Sequence, residues 1–222
     1  MMKAEGCNMS NVVIWSGGAD STWVLDHYAG VSSEDFPIRA VSIVAHPNLN
    51  KEFLKAQSIA QKNYLALAKK RGYHIEHEKV SVRGNLKWGN PPDSFIHASG
   101  QPVMWLSALI QAVGDGDRAL LGYIRGDCFW HIRDKFEGAF NAMCALKGVK
   151  AELSYPVEYQ HKAGVLRKLK EAKIPDRCWF SCDQTTDGRP CNKCSKCDDI
   201  KNAKMDWQYR HETRPVEDGG KR

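Results

Sequence analysis

The chain alternates between short apolar runs and longer segments in which apolar residues recur every three or four positions. The short runs predict five β-strands, at 12–15, 38–45, 74–82, 118–124 and 153–157. The longer segments predict helices, at 22–29, 51–71, 103–113, 131–146 and 161–172. Strands that alternate with helices predict an α/β fold class, with a parallel five-stranded, doubly wound sheet covered by helices on both faces.

The turn after the first predicted strand reads Ser16-Gly17-Gly18-Ala19-Asp20-Ser21. Two consecutive glycines allow a sharp turn and let backbone N–H groups approach a ligand closely. We expect Asp20 and Ser21 to act as N-cap residues of the helix that follows. The turn would then hold an anion, with phosphate as the first candidate, at the positive end of that helix. Ligands of such sheets bind beyond the carboxyl ends of the strands, where this turn is predicted to lie.

Composition narrows the class of protein. Of the 222 residues, 42% are hydrophobic and 26% are charged, as in an ordinary globular protein. No apolar run reaches transmembrane length and residues 1–10 contain no secretory apolar stretch, so we expect a cytoplasmic protein without a membrane partner. The net charge of +6 permits an anionic ligand such as ATP without requiring nucleic acid.

The turn at 16–21 differs from the two commonest phosphate-binding loops. The chain has no G-x-x-x-x-G-K-[ST] motif after a predicted strand, and the glycine pair lacks the G-x-G-x-x-G spacing. The S-G-G-x-D-S motif resembles instead the loop of the PP-loop ATP pyrophosphatases, which have a Rossmann-type fold. This resemblance implies that the loop, with Mg²⁺, grips the pyrophosphate of ATP while the α-phosphate is transferred as AMP. The ATP-binding residues that it implies are Ser16, Gly17, Gly18, Ala19, Asp20, Ser21 and Thr22.

Four of the eight cysteines are clustered late in the chain, at Cys182, Cys191, Cys194 and Cys197. A C-x-x-C turn places two thiolates on one side of a metal, and Cys182 can complete the tetrahedron, so the spacing predicts a structural zinc site. A redox C-x-x-C pair is the main alternative. Cys178 stands at the wrong distance for a ligand. The remaining cysteines are interpreted as plain small residues: Cys7, Cys128 and Cys144.

Both ends of the chain together resemble the 7-cyano-7-deazaguanine synthase (QueC) family. The resemblance rests on the S-G-G-x-D-S loop and on residues 179–182 (WFSC), followed by the C-x-x-C-x-x-C turn. Between these ends, residues 122–127 resemble the family's G-x-N-x-x-D motif, which ends here at Asp127. Residues 155–163 resemble its P…K-A/E motif and contain Lys162 as the family-like lysine.

The resemblance implies ATP-dependent conversion of 7-carboxy-7-deazaguanine into 7-cyano-7-deazaguanine, a reaction of queuosine biosynthesis. AMP transfer would activate the carboxylate, ammonia would displace AMP to give an amide, and a second activation would lead to the nitrile. In this scheme the candidate catalytic residues are Asp20, which serves Mg²⁺ or fixes the loop, and Asp127 and Lys162, which lie near the substrate or the α-phosphate. The expected partners are ATP, the deazaguanine acid, ammonia or another amine, and a second copy of the chain in a homodimer.

Three segments depart from the family pattern. Residues 45–50 (AHPNLN) replace a G-Q-R-H-like segment, residues 102–105 (PVMW) replace an R-N pair, and Ile124 replaces an Asn. All three fall in regions that would contact the acid or the nucleophile. A related ligase that stops at the amide, or that couples the acid to an amine on another molecule such as a protein terminus, is therefore an alternative.

Two further classes of function are open. The modest charge and short chain argue against tRNA thiolation or lysidine formation, which use a basic extension for tRNA. A nucleic-acid-binding zinc module without catalysis would use the lysines around the cysteine turn: Lys193, Lys196, Lys201 and Lys204.

The expected organisation is an ATP-binding α/β domain at 1–174, a zinc-binding loop at 175–200 and a polar tail at 201–222. A loop rich in Gly, Pro and Asn at 84–93 has the length of a surface loop or lid.

Overall fold

A computed structural model describes residues 10–45, 51–82, 101–182 and 184–212 of the chain. The predicted loop at 84–93, Cys7, residues 46–50 and the end of the predicted tail lie outside the described residues. Within them the chain forms five strands and six α-helices: β1 Asn11–Ile14, α1 Ala19–Ala29, β2 Ile38–Ala45, α2 Lys51–Lys70, β3 Ile75–Val82, α3 Gln101–Ala112, β4 Arg118–Leu120, α4 Arg133–Lys147, β5 Glu152–Ser154, α5 Lys162–Glu171 and α6 Ser195–Glu212.

The five strands form one parallel sheet in the order β3-β2-β1-β4-β5. This confirms the predicted α/β class and the parallel five-stranded sheet. The chain order reverses between β1 and β4, which are neighbours in the sheet. A crevice opens at the carboxyl edge of such a switch point, and ligands of open α/β sheets bind there.

Alternate residues of β1 face two separate cores, because successive side chains of a strand point to opposite faces. Val13 packs with buried residues of α1, α2 and α5 in one core. Val12 and Ile14 pack with buried residues of α3 and α4 in the other. The sheet is therefore covered on both faces, as the sequence predicts for a doubly wound fold.

Some element bounds differ from the predicted ones. Strand β4 ends at Leu120 and not at residue 124, because the chain bends away from the sheet beyond Leu121, and Gly126 adopts a left-handed conformation with φ of +90°. Helix α6 crosses the predicted boundary between the cysteine loop and the tail, and the division into domains stays a prediction. Among the described residues, no helix combines the length and the apolar character that crossing a membrane requires.

Candidate functional site

The glycine turn lies directly after β1, at the carboxyl edge of the sheet beside the switch point. Gly17 adopts a left-handed φ of +82°, which glycine tolerates without steric cost. The hydroxyl of Ser16 accepts the N–H of Gly18 at 3.1 Å and lies 3.0 Å from the hydroxyl of Ser21. These contacts fold the turn onto the amino end of α1.

Helix α1 begins at Ala19, and Gly18 is its N-cap residue. The prediction that Asp20 and Ser21 cap this helix is therefore wrong. Both side chains have other partners: Ser21 contacts Ser16, and Asp20 forms an ion pair with Lys162 of α5. Because the helix begins directly after the glycine pair, Asp20 and Ser21 lie inside its first turn and not at the N-cap position.

The segment after β4 approaches the glycine turn at contact distance. A Cβ atom at Gly122 would lie 2.9 Å from the backbone nitrogen of Ser21 and 3.0 Å from its Cα. Glycine is therefore required at this position by close packing, and the segment that follows is held against the start of α1.

Asp127 closes the turn that follows Gly122. Its Oδ2 accepts the N–H of Ile124 at 2.8 Å, which fixes the turn. Burial raises the pKa of the Asp127 carboxyl above its ordinary value. The Ile124 N–H and the positive charge of Lys196 oppose that rise.

A cavity of about 370 Å³ lies between the glycine turn, the segment after β4 and the beginning of α6. One wall is aromatic: Tyr123 and Phe129 stack in parallel with ring centroids 3.8 Å apart, and Trp105 lies on the same cavity. The polar part of the lining has hydroxyl, carboxylate and ammonium groups of Ser16, Ser21, Ser181, Asp20, Asp127, Asp199, Lys162 and Lys196. Three carboxylates and two ammonium groups lie on the cavity, so a flat ligand that combines anionic oxygens with donor groups or a bound cation matches this lining.

All three predicted catalytic residues, Asp20, Asp127 and Lys162, line this cavity. Oδ2 of Asp20 is paired with Lys162, whereas Oδ1 of Asp20 is buried without a hydrogen-bond partner among the described residues. A buried carboxylate oxygen costs free energy unless a donor or a cation satisfies it. Oδ1 is therefore suited to a divalent cation or to a donor group of a ligand.

The predicted ATP-binding residues divide into two groups. Ser16, Gly18, Asp20 and Ser21 line the cavity. Three others are buried in the fold: Gly17, Ala19 and Thr22. The hydroxyl of Thr22 accepts the indole N–H of Trp15 at 3.0 Å, so its side chain supports the turn from the core.

The four clustered cysteines converge as predicted. The sulfur atoms of Cys182, Cys191, Cys194 and Cys197 all lie within 4.8 Å of one another. The distances Cys191–Cys197 and Cys182–Cys194 are each 4.0 Å, close to the roughly 3.8 Å edge of a tetrahedron with metal–sulfur bonds of about 2.3 Å. Backbone N–H groups also point at the sulfurs, with Cys191 N donating to Cys182 Sγ at 3.2 Å. Together the four thiols can hold a metal ion.

Sequence reasoning missed a buried polar network that supports the glycine turn from behind. Nε2 of Gln61 donates to the Trp15 carbonyl at 3.2 Å and to the Ser42 hydroxyl at 2.9 Å. Ser42 in turn donates to the Trp15 carbonyl at 2.9 Å, so Nε2 of His77, also 2.9 Å away, is the donor to Ser42. Burial lowers the pKa of His77 below its ordinary value. The sign of this network in the sequence is Ser42, a polar residue within the apolar run that forms β2.

Lys196, Ser181 and Cys128 also line the cavity, although none was predicted as a site residue. In the sequence, Lys196 is a candidate only for a nucleic-acid-binding module, and Cys128 is interpreted as a plain small residue. The spacing of the cysteines does not reveal the direction in which the residues beside them point.

A scan against protein-family models finds no match to this chain, and a search of curated proteins finds no match either. The residues of the cavity are therefore the basis for a functional assignment.

Proposed function

We propose that this protein is an ATP-dependent ligase that transfers AMP to the carboxylate of a 7-deazaguanine acid, as its resemblance to 7-cyano-7-deazaguanine synthases implies. The observation that carries the proposal is one cavity at the switch point of the sheet, lined by the S-G-G-x-D-S turn, the Asp20–Lys162 pair and Asp127. The turn carries the resemblance to PP-loop enzymes, Asp127 and Lys162 carry local resemblances to the synthase family, and the three come from distant parts of the chain.

In the activation step, a carboxylate oxygen of the acid attacks the α-phosphorus of ATP, and the bond from that phosphorus to the pyrophosphate oxygen breaks. Negative charge accumulates on the departing pyrophosphate. The turn beside the amino end of α1 and the ammonium of Lys162 are suited to stabilise that charge. Mg²⁺ that accompanies ATP supplies further charge neutralisation, and Oδ1 of Asp20 fits a role as its ligand.

In the second step, an amine displaces AMP from the mixed anhydride and leaves an amide. With ammonia as the amine, a second AMP transfer to the amide oxygen followed by loss of AMP yields the nitrile. The aromatic part of the lining, with Tyr123, Phe129 and Trp105, is suited to limit the access of water, which would otherwise hydrolyse the anhydride. The chain's role in this step is to hold the activated acid against the stacked Tyr123 and Phe129 rings.

Asp127 is suited to orient the base. Its carboxyl lines the cavity beside the aromatic wall, and one of its oxygens already accepts the Ile124 N–H. Carboxylate oxygens accept hydrogen bonds from adjacent N–H groups, such as those on the edge of a guanine-like ring. Planar stacking and edge recognition together favour a heterocyclic acid over an aliphatic one.

We assign zinc to the four-cysteine site. Four sulfur ligands saturate a tetrahedral ion and leave no position for water or substrate, so this metal has a structural role.

The lysine positions disfavour a nucleic-acid-binding module. Lys196 lines the cavity, Lys193 is exposed, and Lys204 pairs with Asp176 at 3.0 Å. Lys201 and Lys204 line a second cavity that Lys193 and Lys196 do not line, so the four lysines do not share one basic face.

The test is incubation of the metal-loaded protein with ATP, Mg²⁺, ammonium and 7-carboxy-7-deazaguanine. We expect AMP by chromatography and the nitrile by mass spectrometry. Amide without nitrile, or a mass increase on an added amine or protein, would identify the alternative ligase. Absence of AMP with every deazaguanine acid and amine tested would refute AMP transfer altogether.

A further inference from the structure

The cysteine cluster and the candidate nucleotide site share a wall. Ser181 lies directly before Cys182, and Lys196 lies between Cys194 and Cys197. Both Ser181 and Lys196 line the cavity. The same short segments that provide the metal ligands therefore also provide polar groups to the site.

Ser181 is bonded to the glycine turn. The N–H of Ala19 donates to the Ser181 hydroxyl at 3.1 Å, and the N–H of Phe180 donates to the Gly17 carbonyl at 2.8 Å. These two bonds join the chain just before the first metal ligand to both sides of the turn. A shift of Cys182 would therefore be transmitted to the turn through a single residue.

Lys196 brings positive charge to the opposite side of the cavity. The side chain of Lys196 is half-buried. Lys193, three residues earlier on the same turn, is exposed and does not line the cavity. Burial raises the pKa of Asp127, and the positive charge of Lys196 partly offsets that rise. An ammonium held in a half-buried cavity binds an anionic oxygen more strongly than one at the surface does.

The wall is held by the packing of α6 on α5 and by the hydrogen bonds of Phe180 and Ser181 to the glycine turn, but the cysteine loop itself has only a small apolar cluster. The local apolar cluster consists of the four cysteines with Ala56, Ala60 and Phe180, and with Phe53 at its edge. Such a small cluster cannot fix the backbone by hydrophobic burial alone, and small metal-binding loops are ordered by the ion that they bind. Loss of the metal would therefore loosen the loop that carries both Ser181 and Lys196.

We propose that metal binding at the four cysteines and nucleotide binding in the cavity are thermodynamically coupled, through Lys196 as a ligand of an anionic oxygen of the nucleotide and Ser181 as a positioning residue of the glycine turn. The coupling rests on the proposed ATP-dependent function. Because coupling between two sites is reciprocal, saturating nucleotide also strengthens metal binding by the same factor, typically about 5–100-fold.

The experiment uses the full-length, metal-loaded chain and a non-hydrolysable ATP analogue with Mg²⁺. Calorimetry measures the Kd of the analogue for the unchanged protein and for Lys196→Ala, Ser181→Ala and Lys193→Ala, with metal content determined for each. We expect Lys196→Ala to weaken binding about tenfold or more at full metal content. Lys193→Ala is the matched control on the same turn, and its Kd should be unchanged.

A second measurement does not depend on variants. Competition at equilibrium with a chromogenic metal chelator measures the affinity of the protein for its metal with and without the analogue, and we expect the analogue to lower the Kd of the metal at least about fivefold. Equal Kd values of the analogue for Lys196→Ala and the unchanged protein, or equal metal affinities with and without the analogue, would overturn the coupling while the ATP function stands. No binding of the analogue by the unchanged metal-loaded protein would instead overturn the ATP function, and the coupling with it.

Discussion

The ammonium of Lys162 forms an ion pair with Oδ2 of Asp20, and this contact joins the first turn of α5 to the first turn of α1. The two side chains are only 13% and 20% exposed, so each charge depends on the other for most of its stabilisation. The pair lies on the cavity, and the second oxygen of Asp20 remains available to a ligand.

We expect Asp20→Asn and Lys162→Met each to reduce AMP release by about 100-fold or more, because the first removes the proposed carboxylate ligand of Mg²⁺ and the second removes a positive charge beside the reacting phosphates. Each change should also lower the free energy of unfolding by about 1–3 kcal/mol. This is less than the roughly 3–5 kcal/mol for a fully buried pair, since both groups retain some solvent contact. Urea unfolding of both variants and of the double variant measures the coupling, and strictly additive losses would contradict a direct interaction.

Gly122 is expected to tolerate no side chain. The Cβ atom of Gly122→Ala would meet the backbone of Ser21 at 2.9 Å, so the glycine turn or the β4 segment must shift. We expect a loss of about 1–3 kcal/mol in the free energy of unfolding and weaker nucleotide binding. Gly138→Ala is the control, because it meets open space within helix α4 and should raise stability by up to about 1 kcal/mol. Equal thermal stability of the two variants would contradict this packing.

The metal site predicts a clear difference between two buried cysteines. Cys182→Ser removes one of four ligands, and we expect the purified protein to lose its metal and much of its resistance to thermal unfolding. Cys178→Ala changes a buried thiol outside the cluster and should leave one metal per chain. Elemental analysis of both variants decides the matter, and a full metal content in Cys182→Ser would show that the cluster is not the site.

His77 predicts a dependence of stability on pH. Burial lowers its pKa in the folded protein, so the unfolded chain takes up a proton first as the pH falls below about 6.5. Its contribution to stability is therefore present above that pH and declines through the acidic range, towards the lower pKa of the folded state. Denaturant unfolding between pH 5.5 and 7.5 should show a steeper acid loss for the unchanged protein than for His77→Gln. Parallel curves would indicate that His77 titrates alike in both states.

The general position of the site could be predicted from the sequence because it depends on local features. Paired glycines after an apolar strand set the turn at Gly17 and Gly18, and the spacing of Cys191 and Cys194 sets a metal-binding turn. In both patterns, residues only a few positions apart determine the local geometry. The order of strands and helices is equally local, and it predicted the parallel sheet.

Contacts between distant segments could not be predicted in this way. Gln61 reads as one more polar residue of an amphipathic helix, yet it is buried against the Trp15 carbonyl, 46 positions away. Lys196 reads as a solvated lysine, and only the path of the chain turns it into the cavity. The ion pair of Asp20 was equally out of reach of local patterns, since its partner on α5 lies 142 positions further along.

Two hydrogen bonds join the glycine turn to a segment that is synthesised much later. Phe180 N–H donates to the Gly17 carbonyl, and Ala19 N–H donates to the Ser181 hydroxyl. A nascent chain can form the first strand and helix early, but it lacks these partners until Phe180 and Ser181 have been synthesised. Contacts of such long sequence separation form late in folding. The glycine turn therefore gains its full set of hydrogen bonds only after the cysteine-rich segment has been synthesised, and a chain truncated before Phe180 would lack both of these bonds.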